Sequence, residues 1–269
     1  MVRTPAVAGR FYPDDPEELG GMVAGFLPSP LPDPPEEVVA MMAPHAGLIY
    51  SGRVAGATYG TVAVPRRILL MGPNHTGRGA ALSLWDHGRW EMPGGVTEVD
   101  EEFCGTLRRN CSTLVPDRAA HLREHCLEVQ LPFLRARHPG FRIAPIVVGT
   151  SRLEDLRELG RGVAVSIRQS PEPVLIVISS DMTHYEPAET AASKDRLAVR
   201  QMELLDPEGL HRTVRQEGIS MCGCAPAVAG LFAARELGAQ SGRLVLYAHS
   251  GEASGDNDAV VGYAGMVFS

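Results

Sequence analysis

The sequence predicts an α/β fold in which helices cover a central, mixed and largely parallel sheet. Two observations carry this. Strand-like apolar runs alternate with helical segments along the chain, the pattern that builds a sheet with helices packed on its faces. Several runs also deliver a histidine just past their last apolar residue. Val38–Ala43 leads to Pro44-His45, Ile68–Met71 to Gly72-Pro73-Asn74-His75, Val174–Ser179 to Ser180-Asp181-Met182-Thr183-His184, and Leu244–Ala248 to His249. Parallel strands end along one edge, where open α/β sheets bind their ligands, so these histidines are expected to gather there.

The elements follow in order. Asp15 caps a helix over Glu17–Leu27, with Pro16 at its first position. The proline-rich Pro28–Pro35 is a stiff linker and not a boundary, because too little precedes it to fold alone. After the strand Glu37–Ala43, Ser51 is placed to cap a helix reaching Val64, with Gly52, Ala55, Gly56 and Ala57 as a thin face for close packing. Arg67–Met71 is a buried strand. Leu82–Trp85 and Arg89–Met92 are expected as a hairpin around Asp86-His87-Gly88. Thr97 starts a helix with Asp100 at the capping-box position, and His121–His138 is read as another helix. Pro145 inside the strand Arg142–Val148 argues for an edge or a bulge. Helices over Leu153–Gln169, Pro187–Leu205, Pro207–Glu217 and Ala225–Leu237 alternate with strands over Pro173–Ser179, Arg243–Ala248 and Ala259–Phe268.

Composition narrows the function. At 269 residues the chain can bury one large α/β core or two small ones. Hydrophobic residues make up 44% and charged ones 21%, ordinary for a soluble globular protein, and a net charge of −7 with no basic run argues against nucleic acid or an anionic membrane as partner. No apolar run is long enough to span a bilayer, and MVRTPAVAGRFYPDD has no signal-peptide core. Five cysteines without a regular framework point to a reducing, cytoplasmic compartment.

A polar cluster at a sheet edge is the signature of a metal or a catalytic base, and imidazole is the commonest ligand for zinc, iron, copper and nickel. Cys222, in Ser220-Met221-Cys222-Gly223-Cys224 just before a helix, offers a thiol that a helix N-terminus acidifies, with Gly223 allowing close backbone approach. Asp181, three residues before His184, is placed to orient that imidazole as a general acid or base. His249 and Cys224 carry weaker signals. Arg53, Asp256 and Asn257 are further candidates for the same mouth. On a helix, His125 and Glu128 would present one face towards the strand-edge site as supporting residues. A competing motif, His121-Leu122-Arg123-Glu124-His125, matches the H-x-x-E-H pattern of a zinc hydrolase with Glu124 as base.

Seven stretches in order resemble the Memo family, the AmmeMemoRadiSam system protein B group. They are Val7–Pro13, Pro44–Gly52, Gly72–His75, Glu124–Leu134, Ser179–Tyr185, Cys222–Pro226 and the tail from Ser250 through Gly255-Asp256 to Val260–Ala264. They span nearly the whole length, so the resemblance implies a single domain over residues 1–269. It also implies a fold like that of LigB-type extradiol dioxygenases, whose two histidines and one carboxylate hold non-haem Fe(II). Carried over, it implies His45, His75 and Cys222 as metal ligands and His184 as the base. The resemblance puts Fe(II) first, while a thiolate in place of the carboxylate makes the site softer and brings in copper or zinc as alternatives. The family pattern keeps no histidine at position 121. Two functions follow: a dioxygenase-like oxidoreductase on a small, aromatic or other, molecule, or a non-catalytic metal-binding or redox protein working with a partner such as a radical-SAM system protein. The zinc hydrolase stands third.

Overall fold

The computed structural model describes residues 1–269. In chain order its strands are β1 (Val2–Arg3), β2 (Ala40–Ala43), β3 (Arg67–Pro73), β4 (Leu82–Leu84), β5 (Arg89–Met92), β6 (Gly95–Val99), β7 (Val115–Pro116), β8 (Arg142–Val148), β9 (Val174–Ser179), β10 (His184–Glu186), β11 (Gly242–His249) and β12 (Val260–Phe268). The helices are α1 (Pro16–Phe26), α2 (Leu48–Thr61), α3 (Glu101–Asn110), α4 (Leu131–Arg137), α5 (Leu153–Arg168), α6 (Ala188–Glu203), α7 (Pro207–Gln216), α8 (Cys224–Glu236) and α9 (Gly251–Ser254).

The strands form one mixed sheet in the order β1-β5-β6-β8-β3-β9-β2-β12-β10, with β11 beside β12 and β4 beside β8. Its centre, β8-β3-β9-β2, is parallel. These strands are continuous apolar runs because both faces are covered: Ile68–Met71 and Leu175–Ile178 are buried throughout. Each such side chain contributes roughly 1.5–3 kcal/mol by leaving water. α5 and α8 pack together over one face, and α1, α2 and α4 over the other. The thin face of α2 has its expected use, since Gly52 and Gly56 lie so close to Phe26 of α1 that neither leaves room for a Cβ.

One feature of the topology places the site. β9 returns between β2 and β3, with Ala43 opposite Ser179 and Met71 opposite Ile178. The segments that follow these three strands therefore emerge side by side.

Local expectations fail where tertiary partners override the pattern. Residues 121–127 are two short turns separated by irregular chain at Glu124-His125, followed by a 3-10 turn at Glu128–Gln130 and only then α4, so the expected helix from His121 does not form. Thr97 lies in β6, and Asp100 is itself the cap of α3, accepting from Phe103 N at 3.0 Å. The hairpin joins β5 to β6 through Pro93-Gly94, while β4 pairs with β8 and β7. α2 is capped by Gly47, and Ser51 Oγ donates back to the Ala46 carbonyl at 2.8 Å. Pro145 sits in the interior strand β8, at the gap where pairing with β6 ends at Ile143 and pairing with β4 begins at Ile146, so its missing N–H costs no ladder bond there.

Candidate metal centre

His45, at the end of β2, is buried, and the structure fixes which of its nitrogens faces the site. Ser179 Oγ gives its single proton to the Cys126 carbonyl (2.7 Å) and accepts from Gln130 Nε2 (2.9 Å). Towards His45 Nδ1, at 2.8 Å, the hydroxyl is therefore an acceptor, and Nδ1 carries the proton. Gln130 is itself held by Tyr59 Oη, which donates to Oε1 at 2.9 Å, and donates from Nε2 to the Pro44 carbonyl at 3.0 Å. The lone pair of His45 Nε2 is left facing Cys222 Sγ at 3.3 Å.

His75, after β3, is held the same way by a different residue. Glu124 accepts from its backbone N (2.7 Å) and from Nδ1 (2.8 Å), so again Nε2 is the free nitrogen. Glu124 also accepts from the backbone N–H groups of His125 (2.9 Å) and Cys126 (3.1 Å). Burial works against its charge, but these bonds, the one from His75 first, hold the carboxyl down at about 2. His125 Nδ1 lies 3.4 Å from the same oxygen.

The ligand atoms of His45, His75 and His125 all lie within 4.8 Å of one another. Cys222 reaches His45 but does not join this mutually close triple. Exposure is graded, with His45 buried, His125 half-buried and His75 open to solvent, so the cluster has one accessible side. Burial lowers His45 to about 3 and His125 to about 4, so both imidazoles are neutral near pH 7 with lone pairs available. A second close set, His75, Glu124 and Cys126, is already internally satisfied: Glu124 is occupied as described, and the buried Cys126 thiol donates to the Pro73 carbonyl at 3.3 Å.

Cys222 lies two residues before the first residue of α8 and not in its first turn. Its thiol accepts from Asp181 N at 3.3 Å, and burial together with the Asp181 charge pushes its pKa up, not down as the helix end suggested. Gly223 beside it packs on Ser180 and the Ser179 carbonyl with no space for a Cβ. Asp181 Oδ1 accepts from the backbone N of His45 (2.7 Å) and Ala46 (3.3 Å), while Oδ2 stands 3.9 Å from His45 Nε2. Burial raises its pKa. Asp181 thus belongs to the His45–Cys222 side and forms no bond with His184. The His184 ring is oriented instead by the Ser220 carbonyl, which accepts from Nδ1 at 3.0 Å, while its backbone N donates to Ser220 Oγ at 2.7 Å.

Two further expectations, the zinc motif at His121 and the helical face shared by His125 and Glu128, are corrected. His121 is buried, with Nε2 donating to the Ser83 carbonyl (3.2 Å) between the rings of Trp85 and Trp90; without a helix it shares no face with His125, so no zinc site of His121, Glu124 and His125 forms. Glu128 touches none of the histidines and takes the buried Arg3 guanidinium at 2.7 Å. Arg53 pairs with Glu252 at 3.0 Å, and Asp256 and Asn257 bond within the tail and to Ala188. The sequence reading missed Ser179, Gln130 and Phe11, whose ring lies 4.8 Å from that of His125. All three fall inside stretches that carry the family resemblance, the only signal that marked them.

A parallel-centred α/β sheet whose carboxyl edge gathers neutral imidazoles and a thiol, able to hold a metal ion, defines the class of protein. The Memo family profile, described as Memo-like protein, matches residues 3–267. MEMO1 family proteins of Methanopyrus kandleri and Aquifex aeolicus are 40% and 44% identical, the first covering 100% of this chain and 99% of that protein, the second 99% of both. This chain belongs to the Memo family. An uncharacterized Escherichia coli K12 protein of known crystal structure shares the fold, with a TM-score of 0.54 and 12% identity over 85% of this chain and 98% of that one. No helix is long and apolar enough to cross a membrane.

Proposed function

We propose that this chain is a metal-binding protein whose site takes one transition ion on His45, His75 and Cys222, with Fe(II) first and copper or zinc as alternatives. The observation that carries the reading is the shared tautomer: His45 and His75 each have Nδ1 committed to a fixed acceptor, leaving Nε2 as the donor atom. The donor chemistry fits, because imidazole and thiolate together suit iron, copper and zinc. Binding displaces the proton on Cys222, so uptake is coupled to proton release. His125 faces the same space as a third imidazole.

We further propose an oxidoreductase acting on a small, aromatic or other, molecule. When bound, the ion supplies Lewis-acid and redox chemistry. His184, with Nδ1 anchored on Ser220, offers Nε2 to take or give a proton. Asp181 keeps His45 and the thiol in place through its backbone N and its carboxylate. A second reading, a metal-binding partner without turnover, for instance beside a radical-SAM system protein, is supported by two cavities of about 550 Å³ each that are lined by residues such as Leu19 and Met92 or Asp86 and Arg118, away from the cluster.

Anaerobic purification with metal analysis tests the first claim. Wild type and His121→Ala should retain the ion, and His45→Ala and Cys222→Ser should lose it. Unchanged metal content in both of the latter overturns the site. Oxygen uptake with candidate substrates then separates the two readings: loss in His184→Ala with metal still bound supports turnover, and no uptake with any substrate supports the partner.

A further inference from the structure

We infer that the buried Arg3–Glu128 pair is a positioning device for this centre, setting how His75 and His125 face His45 without touching the ion; the inference rests on the metal reading above. Both side chains are fully enclosed and 2.7 Å apart. Arg3 stacks over Trp90 at 4.3 Å, and its other nitrogens take two carbonyls of a single loop, His121 (2.9 Å) and Glu124 (2.6 Å). That loop carries Glu124, the residue that fixes the ring of His75, and His125 itself. Arg3 therefore grips from behind the segment that aims two of the three imidazoles.

Glu128 holds the other wall. Besides Arg3 it accepts from Ala6 N (2.8 Å), Val7 N (3.0 Å) and Tyr12 Oη (2.6 Å). Between these anchors the chain turns on itself, with Arg10 N and Phe11 N both donating to the Val7 carbonyl and Gly9 in the left-handed region at φ 72°. The turn presents the Phe11 ring to His125, 4.8 Å between centroids and tilted by 59°, while the Phe11 carbonyl accepts from Leu48 N, the first residue of α2. One ion pair thus ties together the loop behind His75 and the aromatic wall beside His125.

Stability alone does not call for this arrangement. Apolar residues of similar volume replace a buried ion pair at little cost and often with a gain. What they do not supply is direction: six hydrogen bonds made by these two side chains fix two separate backbone segments relative to each other. Residues that orient metal ligands from outside the coordination sphere typically change affinity by about 10–100-fold.

The test is Co(II) titration, read by affinity and by the visible d–d bands that report ligand geometry, with nitrogen NMR of the histidine rings in the metal-free protein. Tyr12→Phe removes one bond to Glu128 and leaves no charge unpaired; Arg3→Lys keeps the charge and loses the carbonyl grips. Both should weaken Co(II) by roughly 10-fold or more, shift the bands, and loosen the Nδ1–H tautomer of His75. Arg67→Lys, in the buried pair with Asp100 at the far end of β3, should lower Tm and leave bands and affinity unchanged. Wild-type affinity and bands in both site variants overturn the inference; if Arg3→Lys does not fold, Tyr12→Phe decides. A wild type that binds no Co(II) overturns the metal reading, and the inference with it, and is told apart because it fails before any variant is made.

Discussion

The two ends of the parallel strands use the same residue types to opposite effect. At the amino end, Arg67 of β3 and Arg142 of β8 lie in register and share Asp100, at 2.7 Å and 3.4 Å, with Glu102 and Glu172 closing the set. Charge there answers charge. At the carboxyl end, Glu124 and Asp181 spend their oxygens on backbone N–H groups and on the His75 ring, and burial holds the imidazoles of His45 and His125 neutral. What remains is a set of nitrogen lone pairs, the one on His45 facing a thiol that the Asp181 backbone holds in place. A satisfied polar network stabilises a fold; a cluster that ends in free lone pairs could hold a metal ion.

The contrast can be broken at its structural end first. Arg67→Met strips the buried Asp100 of its main partner and should cost about 3–5 kcal/mol, read as a fall in Tm or in denaturant midpoint. Metal bound per folded chain should not change; a loss of metal in this variant would mean that the two ends are not independent. At the other end, Glu124→Gln keeps the shape but weakens the grip on His75 Nδ1. It should reduce metal affinity by about 10–100-fold, measured by competition with a chelator, with a smaller effect on Tm than Arg67→Met.

A third, smaller effect comes from His121, a histidine that belongs to neither end. Burial first, then the Arg3 charge, depress it to about 3, so the folded protein holds it neutral while the unfolded chain binds a proton near pH 6.5. Its contribution is complete above that value and is lost as pH falls through the window down to about 3, by at most roughly 1.4 kcal/mol per pH unit. Stability measured from pH 7 to pH 4 should therefore fall less steeply in His121→Gln than in wild type. Equal slopes would show that His121 is charged in the fold.

The fold was legible where local pattern and tertiary environment agree. The runs at Ile68–Met71 and Leu175–Ile178 are apolar throughout because helices cover both faces of the sheet. The histidines that follow β2, β3 and β9 were marked by their strand ends. Long-range bonds left no such mark. The stretch from His121 to His138 has a helical rhythm, yet Arg3 draws off the carbonyls of His121 and Glu124 from more than a hundred residues away, and the first turns never form. The same holds for Glu124, read as a base and found as the clamp on His75, and for Ser179 and Gln130, whose role depends on a chain of bonds from Tyr59 to His45. Asp181 was paired with His184 by proximity in sequence, whereas the turn sends its carboxylate to the His45 backbone and gives His184 to Ser220.

The central claim is that one ion sits between His45, His75 and Cys222, and X-ray absorption at the metal edge of the reconstituted protein tests it most directly. The account predicts imidazole scattering together with a single sulfur at about 2.3 Å, the length of a metal–thiolate bond, and its disappearance in Cys222→Ser. A spectrum with no sulfur neighbour, or one that Cys222→Ser leaves unchanged, would contradict it.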